Sequence, residues 1–171
     1  MDYCYKTYFA AKEETVIEEK VEPVIPPQKQ DEKELEAPSV FYSSYIGKWL
    51  GTIENYNEID GNGFSGLKGR NISGLSIKSS RGYVRYRVHT LNGKWLNWME
   101  TFNQNDWKNG VAGIQGHIID GIQAELIGVD GYEIQYRSSI NGRNDYLCWI
   151  TGAGKGDLGY SGVYGNAINR V

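Results

Sequence analysis

From Val40 onward, apolar and polar positions alternate over short runs. Tyr83-Val84-Arg85-Tyr86-Arg87-Val88-His89 and Lys94-Trp95-Leu96-Asn97-Trp98-Met99 are the clearest of them. A period of two predicts strands whose side chains point alternately to opposite faces. Between these runs, Leu91-Asn92-Gly93 holds the Asn-Gly pair that favours a tight hairpin with positive φ. A polar loop, Asn103 to Gly110, comes next, and a last strand is predicted over Ile118 to Ile127.

This strand pattern recurs three times in the same order. An aromatic-Leu pair comes first: Trp49-Leu50, Trp95-Leu96 and Tyr146-Leu147. A glycine motif follows: Phe64-Ser65-Gly66-Leu67-Lys68-Gly69, Val111-Ala112-Gly113-Ile114-Gln115-Gly116 and Tyr160-Ser161-Gly162-Val163-Tyr164-Gly165. An aliphatic pair closes each copy: Ile72 with Leu75, Ile119 with Ile122, Ile168 with Val171. The period is 47 residues from Gly66 to Gly113 and 49 from Gly113 to Gly162. Self-similarity at such a period signals a repeat architecture. The glycine pairs mark positions that need positive φ or a close backbone approach. The expected fold class is all-β, with three pseudo-repeats of about 47 residues spanning about 40–82, 83–131 and 132–171. Their pseudo-threefold arrangement fits a β-trefoil or a β-prism equally. The third copy ends at Val171, so its last strand is expected to be short.

Composition changes near Ser39 and divides the chain. Residues 1–38 contain all four prolines and carry five basic and ten acidic residues; residues 39–171 carry thirteen basic and eleven acidic. A Pro-punctuated, charged run buries too little apolar surface to offset its ordering entropy, so 1–38 reads as an N-terminal segment and acidic flexible linker. Residues 6–21 place Phe9, Ile17 and Val21 near one face of a short helix stopped at Pro23, a route to a protein partner; a disordered leader fits the same composition. Residues 39–171 are then the three-repeat binding domain.

The remaining chemistry mostly excludes. Net charge is −3, without the basic surplus that phosphate binding demands, which argues against a nucleic-acid partner. No apolar stretch reaches the roughly 18 residues of a membrane span. The N-terminus lacks the basic and apolar regions of a secretory signal. Two histidines, His89 and His117, fall short of a metal centre, so neither a metal nor a cofactor is expected. Glu54, Glu58, Glu100, Asp106 and Asp120 show no spacing that singles out a catalytic pair, and no enzyme is expected. The loop from Asn103 to Gly110 lacks the acidic ligands of a Ca²⁺ loop. Cys4 and Cys148 give no disulfide framework, and Cys148 reads as a reduced, packed side chain.

Strand parity selects candidate ligand contacts. Leu recurs after each first aromatic, so Leu50, Leu96 and Leu147 are assigned to the core face, and Trp98 and Trp149 share that parity. Trp49, Trp95 and Tyr146 then take the opposite face, with Asn97 beside Trp95. An aromatic face next to a small or polar neighbour suits a sugar ring; a large aromatic equally suits the plugging of a small β core. Trp107, in a polar loop without counterpart in the other copies, is expected to be the exposed Trp. His89 reads as a hydrogen-bonded strand residue.

Tyr86-Arg87-Val88-His89, Trp95, Val111-Ala112-Gly113 and Ile119-Asp120-Gly121-Ile122 together resemble the clostridial hydrophobic-tryptophan repeat. They resemble more closely the related C-terminal repeats of Firmicute phage endolysins and N-acetylmuramoyl-L-alanine amidases. The resemblance spans 40–171 at repeat level and is closest in the second copy; the first and third lack the His and depart around the Trp. It implies a non-catalytic module that targets peptidoglycan or an attached wall polymer within a cell-wall hydrolase or lysis system. The expected location is the bacterial cell wall or the extracellular space, reached by lysis, on a phage, or as part of a larger product. The acidic leader and the missing secretory signal suit a second function, a structural or receptor-binding component of a phage particle or surface assembly.

Overall fold

The structure, a computed structural model, describes residues 36–56, 63–153 and 159–171. The chain divides into two units, Met1–Glu36 and Ala37–Val171. The linker and helix expected within 1–35 lie outside the described residues.

The described residues are all-β, with eleven strands and no helix. In the first repeat lie β1 (Val40–Tyr45), β2 (Ile53–Glu54) and β3 (Gly74–Ser79). The second contributes β4 (Tyr83–Thr90), β5 (Ala112–Gly113) and β6 (Ile119–Ile127). The third contributes β7 (Gln135–Tyr136), β8 (Ser139–Ile140), β9 (Ile150–Thr151), β10 (Ser161–Gly162) and β11 (Ile168–Arg170). The last strand of the third repeat is thus three residues long, against nine for β6.

Within each repeat, the first strand pairs antiparallel with the last: β1 with β3, β4 with β6, β8 with β11. The glycine motif instead pairs with the preceding repeat. β5 joins β3, β10 joins β6, and Gly66 of the first copy bridges Arg170 of the third. At these crossings the backbones leave no room for a Cβ. One built on Gly66, Gly113 or Gly162 would stand 2.2, 2.3 or 2.2 Å from a carbonyl oxygen, and the three φ values are +133°, +148° and +143°. The second glycine of each motif turns the chain at φ +76°, +80° and +83° in open space. Both roles expected of the glycines are therefore present, one at each position of the pair.

The core lies where the three repeats meet. Ile72, Ile119 and Ile168 are each fully buried. The Ile119 N–H donates to the Ile72 carbonyl (3.0 Å), and the Ile72 N–H to the Ile168 carbonyl (2.9 Å). Burying one such side chain contributes about 1.5–3 kcal/mol. Leu50, Leu96 and Leu147 pack against this core, on the face that their parity assigned.

Three tyrosines tie the loops to the core. Tyr42 donates its hydroxyl to the Gly63 carbonyl (2.7 Å), Tyr86 to that of Gly110 (3.1 Å) and Tyr136 to that of Gly159 (2.9 Å). Burial holds all three phenols above the usual range, Tyr136 pushed up to about 12.

A bulge in each first hairpin corrects the parity of two tryptophans. His89 pairs with Trp95 and Tyr86 with Met99, so three steps along β4 face four on the partner segment. The same slip separates the pairs Tyr45–Trp49 and Tyr42–Ile53. In the third repeat, Leu147 bonds Ser138 while Ile150 pairs with Tyr136. One extra residue reverses which face the following side chains take. Trp98 therefore lies under the Arg85 and Arg87 guanidiniums, 4.9 and 4.5 Å from its ring centre, and Trp149 is 41% exposed. Ile53, Met99 and Ile150 take the core-facing places instead.

Candidate functional site

Because each glycine motif crosses onto the preceding repeat, it runs beside that repeat's first aromatic. Trp49, Trp95 and Tyr146 consequently sit at three seams between repeats, all half-buried.

At the seam of repeats one and two, Trp49 donates its indole N–H to the Gln104 carbonyl (3.0 Å) and meets Tyr45 edge-on (5.4 Å). Trp107 packs against both rings, 4.9 Å from Tyr45 and 5.9 Å from Trp49, and over Gly74, where a Cβ would lie 2.8 Å from its ring. The expectation that Trp107 is the exposed Trp is thus wrong. Its loop folds back because Asp106 accepts bonds from the Lys108 and Asn109 backbones and from the Asn109 side chain. Those bonds hold the Asp106 carboxyl below the usual range, the Asn109 side chain contributing most.

At the seam of repeats two and three, Trp95 donates to the Tyr164 hydroxyl (3.0 Å) and meets His89 and Tyr160 edge-on at 5.5 and 5.7 Å. Tyr160 and Tyr164 stack at 4.9 Å with rings 10° apart. His89 Nδ1 lies 2.6 Å from Oδ1 of the fully buried Asp120, whose Oδ2 accepts the Gly165 N–H (2.8 Å). His89 is thus a hydrogen-bonded strand residue, oriented by a carboxylate that also anchors the next repeat's turn. Asn97 is exposed on the same hairpin.

Among the described residues, the seam of repeats three and one is open. Tyr146 lies 6.5 Å from Phe64, with the Arg137 and Arg170 guanidiniums 4.7 and 5.0 Å from its ring centre. A cavity of about 170 Å³ opens here, walled by the rings of Tyr42, Tyr56, Phe64, Tyr136, Tyr146 and Trp149. Arg137 lies in their midst, 4.3 Å from the Trp149 ring centre and 4.9 Å from that of Tyr56, and donates to the Tyr56 hydroxyl (2.6 Å). Its Nε and the Tyr146 hydroxyl are buried without a hydrogen-bond partner among the described residues. Burial holds the Tyr146 phenol above the usual range against the opposing pull of both guanidiniums.

Cys148, two residues from Tyr146, is exposed, not the packed side chain expected. Among the described residues, no group of three or more His, Cys, Asp or Glu side chains is placed to hold a metal ion, and no helix is long and apolar enough to cross a membrane.

Sequence reasoning thus reached the aromatic at each seam but missed its companions. Tyr160, Tyr164 and Phe64 belong to glycine motifs and were read only as motif positions. Arg137 carried no signal, because its repeat equivalents are Ser43 and Arg87. The tyrosine anchors had one: Tyr42, Tyr86 and Tyr136 recur ahead of the three aromatic-Leu pairs. Comparison of the chain with family models, curated proteins and solved structures returns no match.

Proposed function

We propose that this chain is a non-catalytic module that binds bacterial cell-wall glycan, peptidoglycan or an attached polymer, at the open seam between its third and first repeats. The observation that carries it is the aromatic cavity of the third seam, where exposed Trp149 and Tyr56 flank an arginine whose Nε, like the Tyr146 hydroxyl, has no hydrogen-bond partner among the described residues. Small-molecule sites combine such apolar, aromatic walls with a few placed polar groups. Aromatic faces accept the C–H side of a sugar ring, while amides and guanidiniums take its hydroxyls. The sequence resemblance to endolysin and amidase repeats supports the wall as the source of that sugar, and supports partnership with a hydrolase or lysis system at the cell wall.

For the fold, the proposal is a β-prism rather than a trefoil. Its support is that each sheet takes its fourth segment from the next repeat in a cyclic order, with Ile72, Ile119 and Ile168 at the meeting point.

Co-sedimentation of the purified chain with Gram-positive cell walls tests the function. Binding is expected to be saturable, and weaker by about tenfold or more for a Trp149→Ala, Tyr56→Ala double variant that keeps the native melting temperature. Failure to sediment with walls from a broad panel of hosts would sink the proposal.

A further inference from the structure

Arg137 is held in an unusual way. Rings of Tyr56, Tyr146 and Trp149 all lie within 5 Å of its guanidinium carbon. Among the described residues, its one hydrogen-bond acceptor is the Tyr56 hydroxyl. It makes no ion pair within the described residues, whereas Arg85 and Arg143 each hold a carboxylate at 2.7–2.8 Å. Arg170, on the same Tyr146 ring, likewise bonds only neutral oxygens among the described residues, those of Ser139, Asn144 and Asn169. Two cations thus bracket one phenol, and neither makes an ion pair among the described residues, although the exposed Asp145 carboxyl lies near enough to Arg170 to feel its charge.

An arginine without a carboxylate is ordinary on an open surface, where water solvates it. Here Nε is shut off from bulk solvent, and so is the hydroxyl of Tyr146 on the same cavity wall. A buried donor left without an acceptor is costly, and both belong to residues that line one cavity, where the rest of the half-buried Arg137 guanidinium is what an entering group would meet. That group must accept hydrogen bonds and carry negative charge. It must also sit beside aromatic faces, with Glu133 and Asn55 on the same lining to meet hydroxyl groups.

We infer that this cavity is a subsite for a sugar unit bearing an anionic substituent, a carboxylate or a phosphate, with Arg137 as its charge-reading residue and Tyr146 as its second donor. The inference rests on the glycan-binding proposal but commits it to a ligand class. It also confines the charge recognition to one seam of three. The matching place in the second repeat is Arg87, whose guanidinium is spoken for by the Gln123 side chain (2.7 Å) and stacks on Trp95 and Trp98; in the first it is Ser43.

The full chain is titrated calorimetrically with N-acetylmuramic acid and with N-acetylglucosamine, which differ by the lactyl carboxylate, and with glucose 6-phosphate against glucose. At least one anionic sugar is expected to bind about tenfold or more tightly than its neutral partner, with a preference that shrinks as salt rises. The carboxylate and phosphate pairs show which anion is read. Arg137→Gln should remove the preference, Arg137→Lys should restore part of it, and Tyr146→Phe should weaken binding of both members of a pair. Equal affinity for charged and neutral partners overturns the inference on the unaltered protein, whether or not any variant folds. An Arg137→Gln protein that folds and keeps its preference overturns it too. Wall co-sedimentation separates the two proposals: binding to walls without anionic preference ends only this inference, and anionic preference without wall binding ends only the choice of the wall.

Discussion

The second and third seams are built on one backbone plan and differ in whether their polar groups are satisfied. At the seam around Trp95, the indole N–H has the Tyr164 hydroxyl, His89 has Asp120, and Asp120 also holds the Gly165 N–H. At the seam around Tyr146, the phenol hydroxyl and Arg137 Nε have no hydrogen-bond partner among the described residues, and a cavity takes the place of the second tyrosine ring. The counterpart of Tyr164 in the first glycine motif is Lys68, which reaches away to the Asn144 side chain. Repetition gives three copies of a scaffold, and divergence lets one copy close on itself while another stays receptive. Packing aromatics and binding aromatics therefore occupy equivalent positions, and only their neighbours tell them apart.

The comparison can be broken first at the backbone both seams share. Gly162→Val drives a side chain into the Asp120 carbonyl at a positive φ. It should cost about 4 kcal/mol or more, read as loss of the urea transition, with Gly66→Val close behind. Gly165→Ala, in open space, should cost only about 1–2 kcal/mol. Equal costs at Gly162 and Gly165 would mean that the strand crossings are not tight.

The closed seam is then separated from the open one by its aromatic. Trp95→Ala should destabilise by about 2–3 kcal/mol in chemical denaturation, below the full cost of a wholly buried Trp because this one is half-buried. Its effect on wall binding should follow the stability loss alone. Native stability in that variant would show the ring to be a free platform.

Alkaline titration probes the tyrosine anchors. Tyr136 ionises near 12 in the folded chain against about 10 unfolded, because burial disfavours phenolate. Below pH 10 both states hold the proton and stability is unaffected. Between about 10 and 12 the unfolded state releases it first, so stability falls as pH rises. Denaturation midpoints across that range should drop less steeply for Tyr136→Phe.

The smallest stability effect is expected where function is placed. Trp149→Ala removes a ring that is 41% exposed and should cost under about 1 kcal/mol in the same denaturation assay, yet weaken saccharide binding several-fold. If Trp149→Ala and Trp95→Ala proved alike in both assays, the distinction between the seams would fail.

The sequence carried the scaffold well, because its rules are local. Alternation marked the strands; the spacing of Gly66, Gly113 and Gly162 marked the repeats; the recurring Leu marked the core face. Each depends on neighbours within a few residues or on a period that the chain repeats. Parity failed at Trp98 and Trp149, because a bulge is defined by a partner strand and leaves no residue-level mark. Trp107 looked exposed because its loop is polar; its ring is half-buried against Gly74, Tyr45 and Trp49, brought over from another repeat.

What the sequence determined by itself, then, is the all-β class, the recurring glycine and aromatic-Leu motifs, and the core-facing Leu of each. Which seam closes and which stays open was decided only by the tertiary structure. Each seam is assembled from the hairpin of one repeat and the glycine motif of another, joined across dozens of residues. Satisfaction of a buried polar group depends on what arrives from the far side. Arg137 and Arg87 read alike along the chain, and only the fold gives one a glutamine and leaves the other facing a cavity.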